Sequence, residues 1–577
     1  MYILGINAYH SDSAACLVKD GTIVAAIEEE RIRRVKHWAG FPFSSVKFCL
    51  RQAGITIAEV DYIVIGRNPS AHLAKKIIGS LKKLVNFKFI KDRLANIKKV
   101  VSIKSELAGA LCVAEKDIRA EIRHIEHHRS HLASAFFPSP FEEAAVISID
   151  GFGDFSSVMF AEGRGNKIKV LDSVTYPHSL GIFYTAFTQF LGFPWYGDEY
   201  KVMGLSPYGE PKYLDKVEKV LKLKSKGKFV LDTKYFIHSK KGVAMTWENG
   251  SPFIDKLYSD ELVKEFGPVR GKDEPLSRYH KDLAASVQKH CENTVFHMLN
   301  HLRKATGLKN VCLAGGVAQN SAANGKILEA TGFEKIYIPS AGYDAGTAVG
   351  AALWLYHHEL GNKDRKFIRT ACLGPEYTDD EIETALKRAG MTYERLKNAA
   401  ETVERAAALL AEGAVLGWFQ GRTEFGPRAL GNRSVLVHPG RPDAKDLINS
   451  KIKRRESFRP FAPSILREYV NEYFELEDDV YFMEKVFKIR AEKRKELPAV
   501  THVDGTGRLQ TVHKDVSPLY YSLIDKFREK TGLPILLNTS FNENEPIVNT
   551  PAQALDCYLR TEMDALVMGN IIVKRKG

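Results

Sequence analysis

Two histidines and two aspartates offer the clearest chemistry in this sequence. In EHHRSHLASAFF, His127 and His131 are four residues apart, so a helix sets them on one face, about one turn from each other, and His128 points elsewhere. Both rings can then ligate one cation. Asp150 closes the apolar run AVISID, and Asp344 opens the helix expected after PSAGY. A strand-end carboxylate ahead of a glycine-rich turn is costly to bury unless charge or hydrogen bonds compensate it. Histidines at this spacing also occur in plain helical cores, and the two carboxylates turn the reading toward a metal. A His/His/Asp/Asp set with open positions suits iron, manganese or magnesium better than structural zinc.

A second group of residues suits anions. Gly315 and Gly316 stand between an expected strand and a helix starting near Gln319 and Asn320, where free backbone N–H groups and the positive end of the helix dipole face a phosphate. A tight strand-to-helix turn with no ligand would read the same. Further along, GWFQGRTEFGPRALGNRS carries Arg422, Arg428 and Arg433, and KIKRRESFRPFAP adds Lys453, Arg455 and Arg459. THVDGTGRLQ contributes Arg508, and LLNTSFNENEP offers Asn538, Thr539, Ser540 and Asn542 beyond an apolar strand. Guanidinium forks bind phosphates bidentately, and such crowding of like charge is unfavourable without an anion. These segments predict a polyphosphate pocket.

The elements that must position these residues show a repeat. YILGINAYHSDSAACLVKDGTIVAAIEEER reads as strand, Gly/Asp/Ser turn, strand, Asp-Gly turn, strand, and AAVISIDGFGDFSSVMFAEGRGNKIKVLDSV reads the same way. Two such copies suggest duplicated half-domains facing each other across a cleft, each turn presenting N–H groups to a phosphate. KNVCLAGG through GTAVGAALW then alternates strand and helix, with strands expected at 311–314 and 335–338. The polar stretch HHELGNKDRK marks a boundary, giving domains 1–362 and 367–577. The second has its own α/β rhythm, with a helix at 400–412, a strand at 414–419 and late strands in LPILLN and ALVMGNIIV.

A chain of 577 residues exceeds what one core sustains, and a hydrophobic fraction of 44% with 27% charged residues is that of a globular protein. The start lacks the marks of a secretory leader, and no apolar run reaches membrane-spanning length, so a cytoplasmic protein without a membrane span is expected. Seven scattered cysteines without a CxxC pair read as buried thiols in a reducing compartment. The net charge of +13 is concentrated partly in residues 75–104, which read as a solvated helical face or as a surface for a membrane or acidic partner. No recognisable nucleic-acid-binding pattern accompanies the charge, and no nucleic-acid partner is expected.

Taken together, EHHRSHLASAFF, ISIDGFGD, EYKVMGLSPYG, LAGGVAQNS, GWFQGRTEFGPRALGNRS, KIKRRESFRPFAPS, THVDGTGRLQ and LNTSFNENEPIV resemble, in order along the chain, the NodU/CmcH carbamoyltransferases. The resemblance implies an α/β protein with an N-terminal duplicated actin-like domain, similar to the tRNA threonylcarbamoyl-transfer protein Kae1, and a C-terminal YrdC-like domain. It implies that ATP and carbamoyl phosphate give carbamoyl adenylate in the second domain, and that the carbamoyl group passes in the first to a hydroxyl of a small-molecule, natural-product or sugar-like acceptor. Carried over by position, His127, His131, Asp150 and Asp344 become ligands of a transfer-site metal, with iron(II) favoured, and magnesium can accompany ATP. Gly315, Gly316 and Asn320 become the nucleotide cradle there. Lys453, Arg459, Arg508, Ser540 and Asn542, with Arg428 and Arg433, become the site for carbamoyl phosphate and the ATP phosphates.

Within that reading, His10 is the candidate general base and Lys36 an acceptor-side cation, while Lys201, Met203, Gly204 and Tyr208 line the cleft. The chain leaves room for a homodimer. Two other functions compete. A tRNA threonylcarbamoyl transferase shares both domain types but needs tRNA contacts, and a non-catalytic actin-like ATP switch does not require an arginine-rich second domain.

Overall fold

In the computed structural model the opening apolar run forms β1 (Tyr2–Asn7), followed by β2 (Ala14–Lys19) and β3 (Thr22–Glu28). Asp20 and Gly21, with φ of 46° and 74°, make the two-residue turn between β2 and β3. Both angles are left-handed, as a hairpin of this length requires to match strand twist. Residues 1–71, 103–243 and 245–575 are described, and the basic stretch 75–104 therefore falls, through residue 102, outside them.

The chain divides into two compact units, Met1–Ile368 and Arg369–Gly577. In the first, β1 pairs in parallel with β4 (Tyr62–Ile65), which pairs in parallel with β5 (Glu121–His124), giving the order β3-β2-β1-β4-β5. The second copy consists of β6 (Glu143–Gly153), β7 (Ser156–Arg164) and β8 (Lys167–Thr175). Two small hairpins intervene, β9 (Leu221–Leu223) with β10 (Phe229–Leu231), and β11 (Met245–Glu248) with β12 (Ser251–Ile254). Strands β13 (Asn310–Ala314) and β14 (Lys335–Tyr337) then complete a sheet of order β14-β13-β6-β7-β8. Read from the hairpin edge, the two sheets have the same order and the same parallel and antiparallel pairings.

Helix His127–Phe136 packs on β6 and β13, helix Gly346–Leu353 packs on β1 and β2, and the two helices pack on each other. Small residues allow the close approach. A methyl group on Gly350 would overlap the carbonyl oxygen of Ser130, and one on Gly5 would overlap that of Ala348. This packing brings the start of each helix, and so His127 and Asp344, to one place.

The second unit is built on one mixed sheet of nine strands: β15 (Glu394–Arg395), β16 (Leu416–Phe419), β17 (Arg433–Val437), β18 (Ala462–Leu466), β19 (Lys485–Lys488), β20 (Thr506–Val512), β21 (Ile535–Ser540), β22 (Ala565–Met568) and β23 (Ile571–Lys574). Adjacent residues feed opposite cores. Val415, Val435, Ile465 and Ile535 enter one cluster, and Leu416, Leu436, Leu466 and Leu536 enter the other with helix residues Leu523 and Phe527. A sheet covered on both faces needs apolar residues at both parities, so its central strands read as unbroken apolar runs. No described helix is long and apolar enough to cross a membrane.

Candidate functional site

The first unit gathers His127, His131, Asp150 and Asp344, with one ligand atom of each lying within 4.8 Å of the others. His127 opens its helix, and its backbone N–H donates to the Asp154 carboxylate at 2.9 Å, which also accepts from the N–H of Asn68 at 2.7 Å. The two imidazole Nε2 atoms are 3.0 Å apart and lie 3.2 and 3.1 Å from the same Asp150 oxygen. Asp344 Oδ1 stands 3.6 Å from His127 Nε2 and 3.5 Å from His131 Nε2. For metal bonds of about 2.1 Å, neighbouring ligand atoms lie about 3.0 Å apart in an octahedron and about 3.4 Å apart in a tetrahedron.

Each carboxylate has one oxygen fixed by donors and the other turned to the imidazoles. Asp150 Oδ1 accepts from the backbone N–H groups of Gly151 at 2.8 Å and Gly316 at 3.1 Å. Asp344 Oδ2 accepts from the Ser11 hydroxyl at 3.0 Å and pairs with His10 Nδ1. Burial opposes charge on His131, but Asp150 and Asp344 outweigh it and lift the ring to about 9. Asp150 in turn is held well below the ordinary carboxylate range by His127 and His131, although burial alone would raise it. Two imidazole nitrogens this close to one carboxylate oxygen require a proton or a metal ion between them. The donor types and separations fit a divalent cation.

Glycine makes room for the rings. A methyl group on Gly153 would fall within the His127 imidazole. His128, fully buried, bonds Ser148 Oγ at 2.7 Å through Nδ1, and burial with the neighbouring His127 and His131 lowers it to about 3.

His10 is placed beside the cluster, its ring 5.5 Å from that of His127, and Asp344 raises its pKa against the effect of burial. Lys36 is exposed on a turn. Its neighbour His37 is the partly buried cation instead. Its Nδ1 lies 2.7 Å from Asp12 Oδ1, and Asp12 and Glu30 lift the ring to about 9 although burial opposes the charge. Asp12, Glu30 and His37, together with Ser11 and Tyr196, escaped the sequence reading. The polar run HSDSAA between two apolar strands signalled Ser11 and Asp12, while Glu30, His37 and Tyr196 lie in other segments.

The Gly315–Gly316 turn is formed, but it supports Asp150 rather than opening onto a long helix. Gly315 has φ of 94°, and a methyl group there would overlap the Ile149 carbonyl. The single helix expected after it is replaced by three short turns, Gly316–Gln319, Ser321–Asn324 and Ile327–Thr331. The Asn320 side chain accepts from the N–H of Ala323 at 3.1 Å and starts a new turn, and Gly325 and Gly332 end two of them. The Asn320 amide is paired with Gln288 through bonds of 2.9 and 3.0 Å. In the expected cleft-lining segment, Lys201 pairs with Asp198 at 3.0 Å, and Met203 Sδ accepts from the Ser321 hydroxyl at 3.8 Å, while Gly204 and Tyr208 fall in the same helix and the turn that follows it.

In the second unit Lys453, Ser540 and Asn542 come together. The Lys453 ammonium, 1% exposed, donates to the Ser540 carbonyl and to Asn542 through its backbone oxygen at 2.7 Å and its Oδ1 at 2.6 Å. Burial, with Arg455 and Arg459 nearby, drives its pKa well down. Arg508 is lowered likewise by burial and by Arg428, Arg455 and Arg459, and its Nε is buried without a hydrogen-bond partner. Arg433 is used differently. Its fork donates to the carbonyls of Gln420, Asn432, Pro375 and Gly421, and its guanidinium carbon lies 3.7 Å from the centre of the Phe419 ring, so it braces the backbone around the loop. Arg422 likewise donates to the carbonyls of Gly374 and Leu373.

Comparison with known proteins adds two family matches. Residues 2–353 match the model of the carbamoyltransferase N-terminus, and residues 407–575 match that of the carbamoyltransferase C-terminus. The chain is 42% identical to an uncharacterized protein of Synechocystis, over 100% of this chain and 97% of that one. It is 40% identical to the nodulation protein NolNO of Sinorhizobium fredii, over 99% of this chain and 80% of the other. Among solved structures, component A of (R)-2-hydroxyglutaryl-CoA dehydratase from Acidaminococcus fermentans aligns with a TM-score of 0.31 at 16% identity, covering 62% of this chain and 98% of that one. That likeness is too distant to bear on the fold.

Proposed function

The chain belongs to the carbamoyltransferase family and is a carbamoyltransferase, and from that premise we propose that it works in two steps, one in each unit. In this reading Arg369–Gly577 is a YrdC-like unit that makes carbamoyl adenylate, and Met1–Ile368 is a Kae1-like, actin-type unit that consumes it. The twin sheets of equal order support the second assignment.

In the first step, water cleaves carbamoyl phosphate to carbamate and phosphate. A carbamate oxygen then attacks the α-phosphorus of ATP and expels pyrophosphate. Arg428, Arg459 and Arg508 stabilise charge on the phosphates as it develops, and Lys453, held by Ser540 and Asn542, adds a fixed amine that a bound phosphate keeps protonated. The observation that carries this step is Arg508, buried at Nε without a partner and disfavoured as a cation first by burial and then by Arg428, Arg455 and Arg459, an arrangement that an anionic ligand relieves.

In the second step, the acceptor hydroxyl attacks the carbamoyl carbon and AMP leaves. His127, His131, Asp150 and Asp344 would hold a divalent ion, iron(II) in the reading favoured here, which when bound would supply a Lewis acid for the carbonyl and the leaving phosphate. His10, oriented by Asp344, takes the acceptor proton, and Gly316 keeps Asp150 aligned through its N–H.

The test is incubation with isotopically labelled carbamoyl phosphate, ATP and a metabolite extract. The expected result is pyrophosphate release that requires carbamoyl phosphate, with an extract component gaining a carbamoyl group by mass spectrometry. ATP cleavage indifferent to carbamoyl phosphate, with no carbamoylated product, would refute the proposal.

A further inference from the structure

The two carboxylates of the His/Asp cluster are aligned by different means. Asp150 is held by peptide N–H groups, which no side-chain substitution removes. Asp344 Oδ2 is held by two side chains, those of Ser11 and His10. Ser11 does not act by itself. The Tyr196 phenol donates to Ser11 Oγ at 2.5 Å, and Ser11 donates onward to Asp344 Oδ2 at 3.0 Å.

The hydrogens in this chain are each used once. Tyr196 O–H goes to Ser11 Oγ, Ser11 O–H goes to Asp344 Oδ2, and His10 Nδ1 shares the same carboxylate oxygen, lying 3.3 Å from Ser11 Oγ. Burial and the carboxylates of Asp12 and Asp344 push the phenol well above its ordinary range, so it remains a donor. Ser11 is completely buried, so water cannot replace the relay without rearrangement. Tyr196 sits in the connection between helices Leu180–Phe190 and Glu199–Leu205, far along the chain from both Ser11 and Asp344.

We propose that Ser11 and Tyr196 are positioning residues for Asp344: a two-hydroxyl relay that fixes one carboxylate oxygen so that the other is presented to a divalent cation beside His127 and His131. This rests on the metal reading of the cluster given above. Partners of ligating carboxylates commonly govern metal affinity by about 10- to 100-fold.

The experiment titrates the full-length, chelator-stripped protein with Co(II), following its visible ligand-field bands and competition with a chelator. Wild type should bind one Co(II) with these bands, and His131→Ala should lose them. Tyr196→Phe, which removes a single oxygen, should weaken binding about tenfold, and Ser11→Ala more, toward about 100-fold, with altered band positions. Ser11→Thr, which keeps the hydroxyl, should recover most of the affinity. Melting of the metal-free variants controls for folding, and Tyr196→Phe keeps the test open if Ser11→Ala does not fold. Wild-type affinity and spectrum in both Tyr196→Phe and Ser11→Ala would overturn the relay while leaving the metal site intact. Equal binding by wild type and His131→Ala would overturn the metal site and the relay with it.

Discussion

At the scale of single residues, Arg508 is the most informative side chain in the second unit. The groups that perturb it, Arg428, Arg455 and Arg459, carry its own charge, and burial makes that charge harder to sustain. A residue placed at a cost to stability, in a position where an anion would relieve it, is expected to trade stability for function. Arg508→Met should therefore melt higher than wild type without ligand, by about 2–4 °C, and lose most of the stabilisation that phosphate gives wild type. Its carbamoyl-phosphate-dependent pyrophosphate release should fall by about 100-fold or more. Calorimetry with and without phosphate, beside a pyrophosphate assay, checks both. A lower melting temperature combined with unchanged activity would assign Arg508 to the architecture instead. Sequence could find Arg508 and Lys453 but could not separate them from Arg433. In a glycine-punctuated segment a guanidinium reads the same whether it faces a ligand or, like Arg433, four backbone carbonyls.

At the scale of elements, the cluster depends on how closely helix Gly346–Leu353 lies against helix His127–Phe136. Gly350 meets the Ser130 carbonyl with no room for a methyl group, so Gly350→Ala must separate the helix that carries His131 from the helix that follows Asp344. The expected loss is about 2–3 kcal/mol by urea denaturation, with weaker divalent-ion binding. Gly109→Ala is the control. Gly109 lies in helix Ile103–Leu111 with open space around it, and alanine there should be neutral or stabilising by up to about 1 kcal/mol. The paired hairpins were legible because their glycine-containing turns and the apolar runs beside them act locally. The breaks after Gly316 were not legible. Asn320 starts a new turn because its amide finds Ala323 and Gln288, and Gln288 is supplied by a distant helix. His37 was missed for a related reason. Its partners Asp12 and Glu30 come from separate segments, whereas Lys36 carries its charge openly in the sequence.

At the scale of the whole molecule, one unit gathers a His/Asp cluster and the other a group of buried cations, and the proposed function gives each its own step. The twin sheets explain how a first unit of this size is assembled from one strand plan used twice. The nine-stranded sheet explains why the second has a core of its own on each face. The central claim is that adenylate formation and carbamoyl transfer are chemically separate, and one variant tests it. In full-length His131→Ala supplied with labelled carbamoyl phosphate, ATP and acceptor, pyrophosphate release should stay within about twofold of wild type, while label transfer drops by about 100-fold or more. Loss of both activities to the same degree, or transfer at the wild-type rate, would contradict the account.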